Sequence, residues 1–340
     1  MSLKNLNRIQ RKAVESIDGP VLIFAGAGSG KTRVLTHKMF YLIKEKLYKP
    51  ENILSVTFTN KAAKEMKSRV MKLLRTDNLP ITIGTFHSVC ARLLRNESRH
   101  LDISPHFAIY DVQDQLDLLK VVLKNLNIPK DQITPNFARN QISYLKNKMI
   151  SPDAQLRKSR TINEKKFVEV YSAYQKSLAD NDALDFDDLL LFPLELFEKN
   201  PKILSKYQNR WKYILVDEYQ DTNRPQFFFL TKLAEKNENI CVVGDDDQSI
   251  YGWRGADVTN ILDFEKFFPS CRVFTLEKNY RSTQQILDAA TAVVTHNDRR
   301  AKKKLFAENG SGELLGLIET SDELEESDAI ISALEKEIKI

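Results

Sequence analysis

Residues 21–32 read Val-Leu-Ile-Phe-Ala25-Gly26-Ala27-Gly28-Ser29-Gly30-Lys31-Thr32. A β-rich apolar run, bounded upstream by Pro20, passes into a glycine loop, and a helical pattern runs from Lys31 into the forties. This is the context a phosphate loop needs. Its glycines let backbone N–H groups turn inward around phosphate oxygens, and the helix start adds partial positive charge. Lys31 can reach the outer phosphates, and the Thr32 hydroxyl suits Mg²⁺. Ala25 stands where the stricter form of the pattern has glycine, so the looser form applies. The reading places the chain in the α/β class, with ATP as the expected ligand.

Working outward, the first hundred residues alternate short β-rich runs with helical patterns. Strands are predicted at 53–59 and 81–86, and helices at 60–74, with Ala63, Met66, Val70 and Leu73 or Leu74 on one face, and at 87–95. That rhythm implies a parallel sheet covered by helices. From 111 to 182 it stops, and helical patterns at 114–126, 137–148 and 164–179 follow one another without a strand. An all-helical insertion is expected there. Strands return at 213–216, 240–243 and 272–276. A helix at 283–295 and a strand at 313–318 then look like the start of a second α/β unit. The expected organisation is 1–110 and 183–275 as two parts of one sheet domain, 111–182 as the insertion and 276–340 as the opening of the second unit.

Other segments carry chemistry. The strand 214–216 ends in Asp217-Glu218. In phosphate-loop enzymes an acid here holds the metal, and the next can orient and deprotonate the attacking water. Gln10 lies just upstream of the first strand. Its amide could pair with adenine, although a surface glutamine on a helix is the default reading. Thr57-Phe58-Thr59-Asn60 and Gly84-Thr85-Phe86-His87 both end strands on the side where such folds bind ligands. Each sets an aromatic among small polar donors, as a single-strand track requires; otherwise Phe58 and Phe86 cap the core. Within 244–256 a carboxylate run and Gln248 suit phosphate sensing. Nearby Tyr251, Trp253 and Arg254 suit an unpaired base, since aromatic faces and guanidinium planes stack on any base.

Composition sets wide bounds. The 340 residues are 42% hydrophobic and 29% charged, as in ordinary globular proteins, and 51 basic against 46 acidic residues give +5. That permits a nucleic-acid partner without arguing for one. The densest basic run, Arg299, Arg300, Lys302, Lys303 and Lys304, reads either as a solvated loop or as a phosphate contact. Cys90, Cys241 and Cys271 form no CxxC pair, and apolar neighbours mark Cys241 as a core thiol. His37, His87, His100, His106 and His296 lack metal-ligand spacing. With no secretory signal or membrane-length apolar run, a cytoplasmic location is expected.

Taken in order along the chain, these motifs resemble the UvrD/Rep/PcrA family of superfamily 1 DNA helicases. The match adds 216–222 as the Walker B segment, 244–256 as the coupling motif, and Leu276-Glu277-Lys278-Asn279-Tyr280-Arg281-Ser282 as the motif after it. The resemblance implies a RecA-like P-loop NTPase fold and further roles. Gln10 would read adenine with Tyr280 stacked on it. Residues 25–32 would hold ATP, with Thr32 and Asp217 on Mg²⁺ and Glu218 as general base. Gln248 would sense the γ-phosphate, and Arg281 would act as an arginine finger. Phe58, Asn60, Thr85, Phe86, His87, Tyr251, Trp253 and Arg254 would line the single-stranded DNA path.

The family moves 3′→5′ and unwinds ss/ds junctions, with repair or replication proteins as expected partners. Stacking chemistry tolerates RNA as well; the resemblance favours DNA. The family's later motifs are missing from the sequence, so an N-terminal portion is expected that binds nucleotide, hydrolyses it poorly and does not unwind alone. An ATP-gated single-strand-binding module and a helicase–nuclease polypeptide are the alternatives.

Overall fold

The computed structural model describes residues 3–129 and 131–338. Its strands are β1 (Val21–Ala25), β2 (Ile53–Thr57), β3 (Thr82–Thr85), β4 (Ala108–Tyr110), β5 (Ala183–Asp185), β6 (Tyr213–Val216), β7 (Ile240–Gly244), β8 (Arg272–Leu276), β9 (Lys278–Asn279) and β10 (Phe306–Ala307). Six of them form one parallel sheet in the order β3-β2-β6-β7-β1-β8.

Strand residues point alternately to opposite faces, and both faces here are apolar. Leu22, Phe24, Leu54, Val56, Ile214, Val216 and Val242 enter one core, roofed by helices Phe86–Glu97, Asp188–Lys199 and Arg224–Ala234. Val21, Ile23, Ile53, Leu215, Cys241 and Val243 enter the other, under helices Arg8–Glu15, Lys31–Lys44 and Asn60–Leu74. All six strands run the same way, so the loops leaving β1, β2, β3, β6 and β7 open at one edge of the sheet.

The helical stretch after β4 builds its own core around Leu119, Val122, Ile142, Tyr171 and Tyr174. Its helices are Val112–Asn125, Pro135–Asn147, Pro152–Lys158 and Ile162–Asp180. β4 pairs in parallel with β5, closing the base of the excursion. Lys146, fully buried, plugs this layer into the sheet domain. Its ammonium meets Asp185 at 2.6 Å and Asp188 at 2.7 Å, and Asp185 also accepts the Tyr174 hydroxyl at 3.0 Å. No helix among the described residues is long and apolar enough to cross a membrane.

Two expectations fail. Residues 313–318 form no strand: Leu314, Leu315, Leu317 and Ile318 are exposed, and no described strand lies beside them to supply a hydrogen-bond ladder. Among the described residues the second unit contributes the β9–β10 pair and helices Gln284–Val294 and Glu323–Ile338. Phe86 begins a helix but is 4% exposed and sits in the core with Leu54 and Val89. Its ring is therefore unavailable to a base, because residue 86 falls on the inward side of the helix that follows β3.

Candidate nucleotide site and coupling loop

The loop after β1 is built for a bound anion. Gly28 and Gly30 adopt left-handed backbone, at φ 72° and 92°. Gly30 caps helix Lys31–Lys44 without a side-chain acceptor, so the helix's first N–H groups stay open. A Cβ at Gly30 would lie 2.9 Å from the Gln10 amide nitrogen, so this position needs glycine on two counts. The Lys31 ammonium lies 3.0 Å from Glu218 Oε2, yet its direction of approach makes no hydrogen bond. A buried cation with a charge neighbour and no acceptor fits an incoming phosphate oxygen.

Gln10 is fully buried, against the surface position expected of it. Its amide donates to Ser29 O at 3.0 Å and accepts from Asn7 N at 3.1 Å, closing a capping box with Asn7. Tyr280 joins the same corner. Its hydroxyl accepts from the Asn7 side chain at 2.9 Å, and its N–H donates to Gly28 O at 3.0 Å. Asn279 donates to Ala27 O at 2.5 Å, and the Arg281 Cβ presses on Gly28. Leu305 lies over Gly26.

The acids sit at the end of β6. Asp217 is buried and its carboxyl is pushed up to about 6, first by burial and then by the charge of Glu218. Thr32 Oγ1 is 3.5 Å from Asp217 Oδ2. The hydroxyl and the carboxylate thus face one point where negative charge is in excess, which is the donor set Mg²⁺ takes. Glu218 holds left-handed backbone at φ 50°, ψ 46°, a strained state for a side-chain-bearing residue that turns its carboxylate toward Lys31.

One amide joins these acids to the next loop. Gln220 donates to Glu218 Oε2 at 3.1 Å and to Asp221 at 3.0 Å, while its carbonyl oxygen accepts Asp245 N at 2.9 Å. Gln248, across the turn, donates to the Asp245 carboxylate. The basic run therefore has a use that was not foreseen. Lys303 reaches Asp245, Asp246 and Asp247 at 2.7, 2.5 and 2.8 Å, and Arg300 makes a two-pronged contact with Asp247. Arg299 pairs with Asp263 at 3.2 Å.

Past Gln248 the same loop turns outward. Tyr251 stacks on Phe58 with centroids 5.1 Å apart, and Arg254 lies over Trp253 at 4.6 Å. Trp253 is 75% exposed. His87 is half-buried against the edge of Phe186, and burial lowers it to about 4, so it is neutral near pH 7. Asn60 is exposed at the start of its helix, and Thr85 caps the following helix through Ser88 N.

Comparison with known proteins gives this arrangement a family. The model of the UvrD/REP helicase N-terminal domain matches residues 6–269, and that of the UvrD-like helicase C-terminal domain matches 274–339. The chain belongs to the UvrD/REP helicase family. It is 46% identical over 334 residues to the ATP-dependent DNA helicase PcrA of Staphylococcus epidermidis, covering 98% of this chain and 46% of the relative. The Staphylococcus aureus PcrA is 47% identical over the same length and coverage. The chain thus spans about half the length of the curated relatives it matches.

Within this UvrD/REP helicase chain the structure brings Gln10, residues 25–32, Asp217, Glu218, Tyr280 and Arg281 to one corner. Gln248 stands beside Gln220 and Asp245, and Phe58, Tyr251, Trp253 and Arg254 form a separate outer face. Gln220, Asn279, Leu305 and Lys303 were missed as site residues. Gln220 stood inside a quoted motif, and only the contact from β6 to β7 marks it out. Lys303 stood in a noted basic run whose partners lie far off in sequence.

Proposed function

We propose that the chain binds ATP with Mg²⁺ and couples hydrolysis to 3′→5′ movement along single-stranded DNA and opening of ss/ds junctions, as part of an ATP-dependent DNA helicase. The observation that carries this reading is the loop after β7. Gln248 at its start connects through Asp245 and Gln220 to Glu218, and Trp253 near its end stands open to solvent. A change at the phosphates therefore has a short covalent and hydrogen-bonded route to the base-stacking surface.

In this reading the loop 25–32 cradles the phosphates and Lys31 neutralises their charge. Gln10 keeps one N–H and one lone pair free, the two groups that adenine's N7 and N6 edge requires, with Tyr280 beside it. Thr32 and Asp217 would hold Mg²⁺, which screens phosphate charge when bound. Glu218 takes the proton of the attacking water, Gln248 reports the γ-phosphate, and Arg281 supplies charge from the second unit. Phe58, Asn60, Thr85, His87, Tyr251, Trp253 and Arg254 follow the strand, His87 as a neutral partner.

The division into 1–110, 111–182, 183–275 and 276–340 assigns the motor to the first and third parts. The free, buried thiols Cys90 and Cys241 suit the reducing cytoplasm. The 340-residue chain by itself is expected to hydrolyse slowly and not to unwind, since the sequence offers Arg281 as its one arginine-finger candidate. Steady-state hydrolysis with and without oligo-dT tests the reading, alongside Glu218→Gln. The parent should respond to oligo-dT, while the variant should bind nucleotide and oligo-dT but lose turnover by about 10²–10⁴-fold. Undiminished hydrolysis in Glu218→Gln would overturn it.

A further inference from the structure

Two adjacent residues at the end of helix Pro135–Asn147 take part in the contact between the helical insertion and the motor. Lys146 is the anchor, held between Asp185 and Asp188. Asn147, next in the chain, points elsewhere. Its Nδ2 donates to Asp187 Oδ1 and to Ser143 O, both at 2.9 Å. Its Oδ1 accepts from Asn223 Nδ2 at 2.8 Å.

That oxygen touches the place where two functional segments leave the sheet domain together. Asn223 follows the Asp217–Thr222 segment and caps helix Arg224–Ala234 by accepting from Gln226 N at 3.0 Å. Asn223 also forms a bridge with Ala256, and Asp257 N donates to Thr222 O at 3.0 Å, so the exits of the Walker B segment and of the coupling loop are zipped to each other. Gly255, directly after Arg254, has φ 84°, and a Cβ there would stand 3.0 Å from Asn147 Oδ1. The loop backbone thus runs against the asparagine itself.

We propose that Asn147 is a positioning residue that couples the helical insertion to the coupling loop. A shift of Tyr251, Trp253 and Arg254 on a single strand displaces Gly255 and Asn223, and Asn147 passes that displacement to the insertion. Lys146 acts as the fixed pivot, because a fully buried ammonium between two carboxylates cannot slide without losing both. The inference rests on the single-strand reading of the loop given above.

Hydrogen exchange followed by mass spectrometry, with and without oligo-dT, tests it on the 340-residue chain and on Asn147→Ala and Asn223→Asp. Asn223→Asp keeps the oxygen that caps Gln226 N but removes the donor to Asn147, so it cuts the link from the other side without uncapping the helix. In the unaltered chain, oligo-dT should protect both 251–257 and 135–147. In either variant it should still protect 251–257, while protection of 135–147 should fall about five-fold or more. The double variant should lose no more than the single ones, as expected of one shared contact. Full protection of 135–147 in both single variants overturns the inference. Absence of protection at 251–257 in the unaltered chain defeats the single-strand reading first, and this inference with it.

Discussion

Replacing Lys303 by methionine tests the electrostatics of the coupling loop directly. Asp245, Asp246 and Asp247 bring carboxylate oxygens within 4.8 Å of one another, and the Lys303 side chain is 3% exposed. At that spacing each ionised pair repels by about 3.5 kcal/mol at an effective dielectric of about 20. Arg300 would still serve Asp247, and Ala301 N would still donate to Asp246 at 2.8 Å. Asp245 and Asp246 would be left without a cation.

Lys303→Met should therefore cost about 3–5 kcal/mol of stability, the range for stripping one partner from a buried ionic cluster. Burial pushes Asp247 up, but hydrogen bonds from Arg300 and Lys303 outweigh it and hold the group below its usual 3.8. A depressed carboxyl stabilises the parent above pH 3.8, and that contribution is lost on acidification through its folded value. In the variant Asp247 loses the share of that depression that Lys303 supplies, so the deficit closes as pH falls below 3.8. Urea unfolding followed by circular dichroism should show a deficit that is large at pH 7.5 and narrower at pH 3. Millimolar Ca²⁺ should restore part of it at pH 7.5 by taking the ammonium's place. A loss under about 1 kcal/mol, or one equal at both pH values, would refute this account of the cluster.

Three further outcomes are expected. Trp253→Ala, at a side chain 75% exposed, should leave stability within about 0.5 kcal/mol but weaken oligo-dT binding by about 1–3 kcal/mol, measured by fluorescence anisotropy. Gly30→Ala should lower nucleotide affinity at least about ten-fold in a titration with fluorescent ATP, because left-handed backbone costs alanine about 1–2 kcal/mol and its methyl meets Gln10. His87, lowered by burial from 6.5 to about 4, makes no stability difference above pH 6.5 and should cost at most about 3 kcal/mol as pH falls toward 4. His87→Gln should remove that part of the acid sensitivity in urea midpoints taken across the same range.

What the sequence disclosed is what depends on neighbours along the chain. The loop 25–32 was readable because strand, glycines and helix start are contiguous, and its geometry follows from backbone freedom at Gly28 and Gly30. The four inner strands β1, β2, β6 and β7 were readable because residues buried on both faces make short continuous apolar runs. Helix Asn60–Leu74 was readable from the spacing of Ala63, Met66 and Val70, and the structure buries Leu74 rather than Leu73 on that face. By the same logic 313–318 misled: an apolar run makes a strand plausible, but a strand exists only where another offers a ladder.

What stayed hidden depends on pairs distant in the chain. Gln10 looks like a surface residue until Asn7, Ser29 and Tyr280 close around it, and then its burial is what fixes its amide. Phe58 and Phe86 end equivalent strands with the same residue type, yet one stacks on Tyr251 at the surface and the other fills the core. The difference arises because Phe86 already belongs to the helix whose inner face it occupies, while Phe58 stands outside its helix, separated by the capping Thr59 from the start at Asn60. Lys303 carries the argument furthest. A lysine in a basic run invites a reading as a contact for nucleic-acid phosphate, but its charge is consumed by three aspartates of the coupling loop. A cation already balanced inside the fold adds nothing to an external anion. In the single-strand reading proposed above, Lys303 is therefore left out of the attraction at this edge. Stacking on Trp253 and Tyr251 and the charge of Arg254 are the expected sources, and a shallow dependence of oligo-dT affinity on salt is the expected outcome.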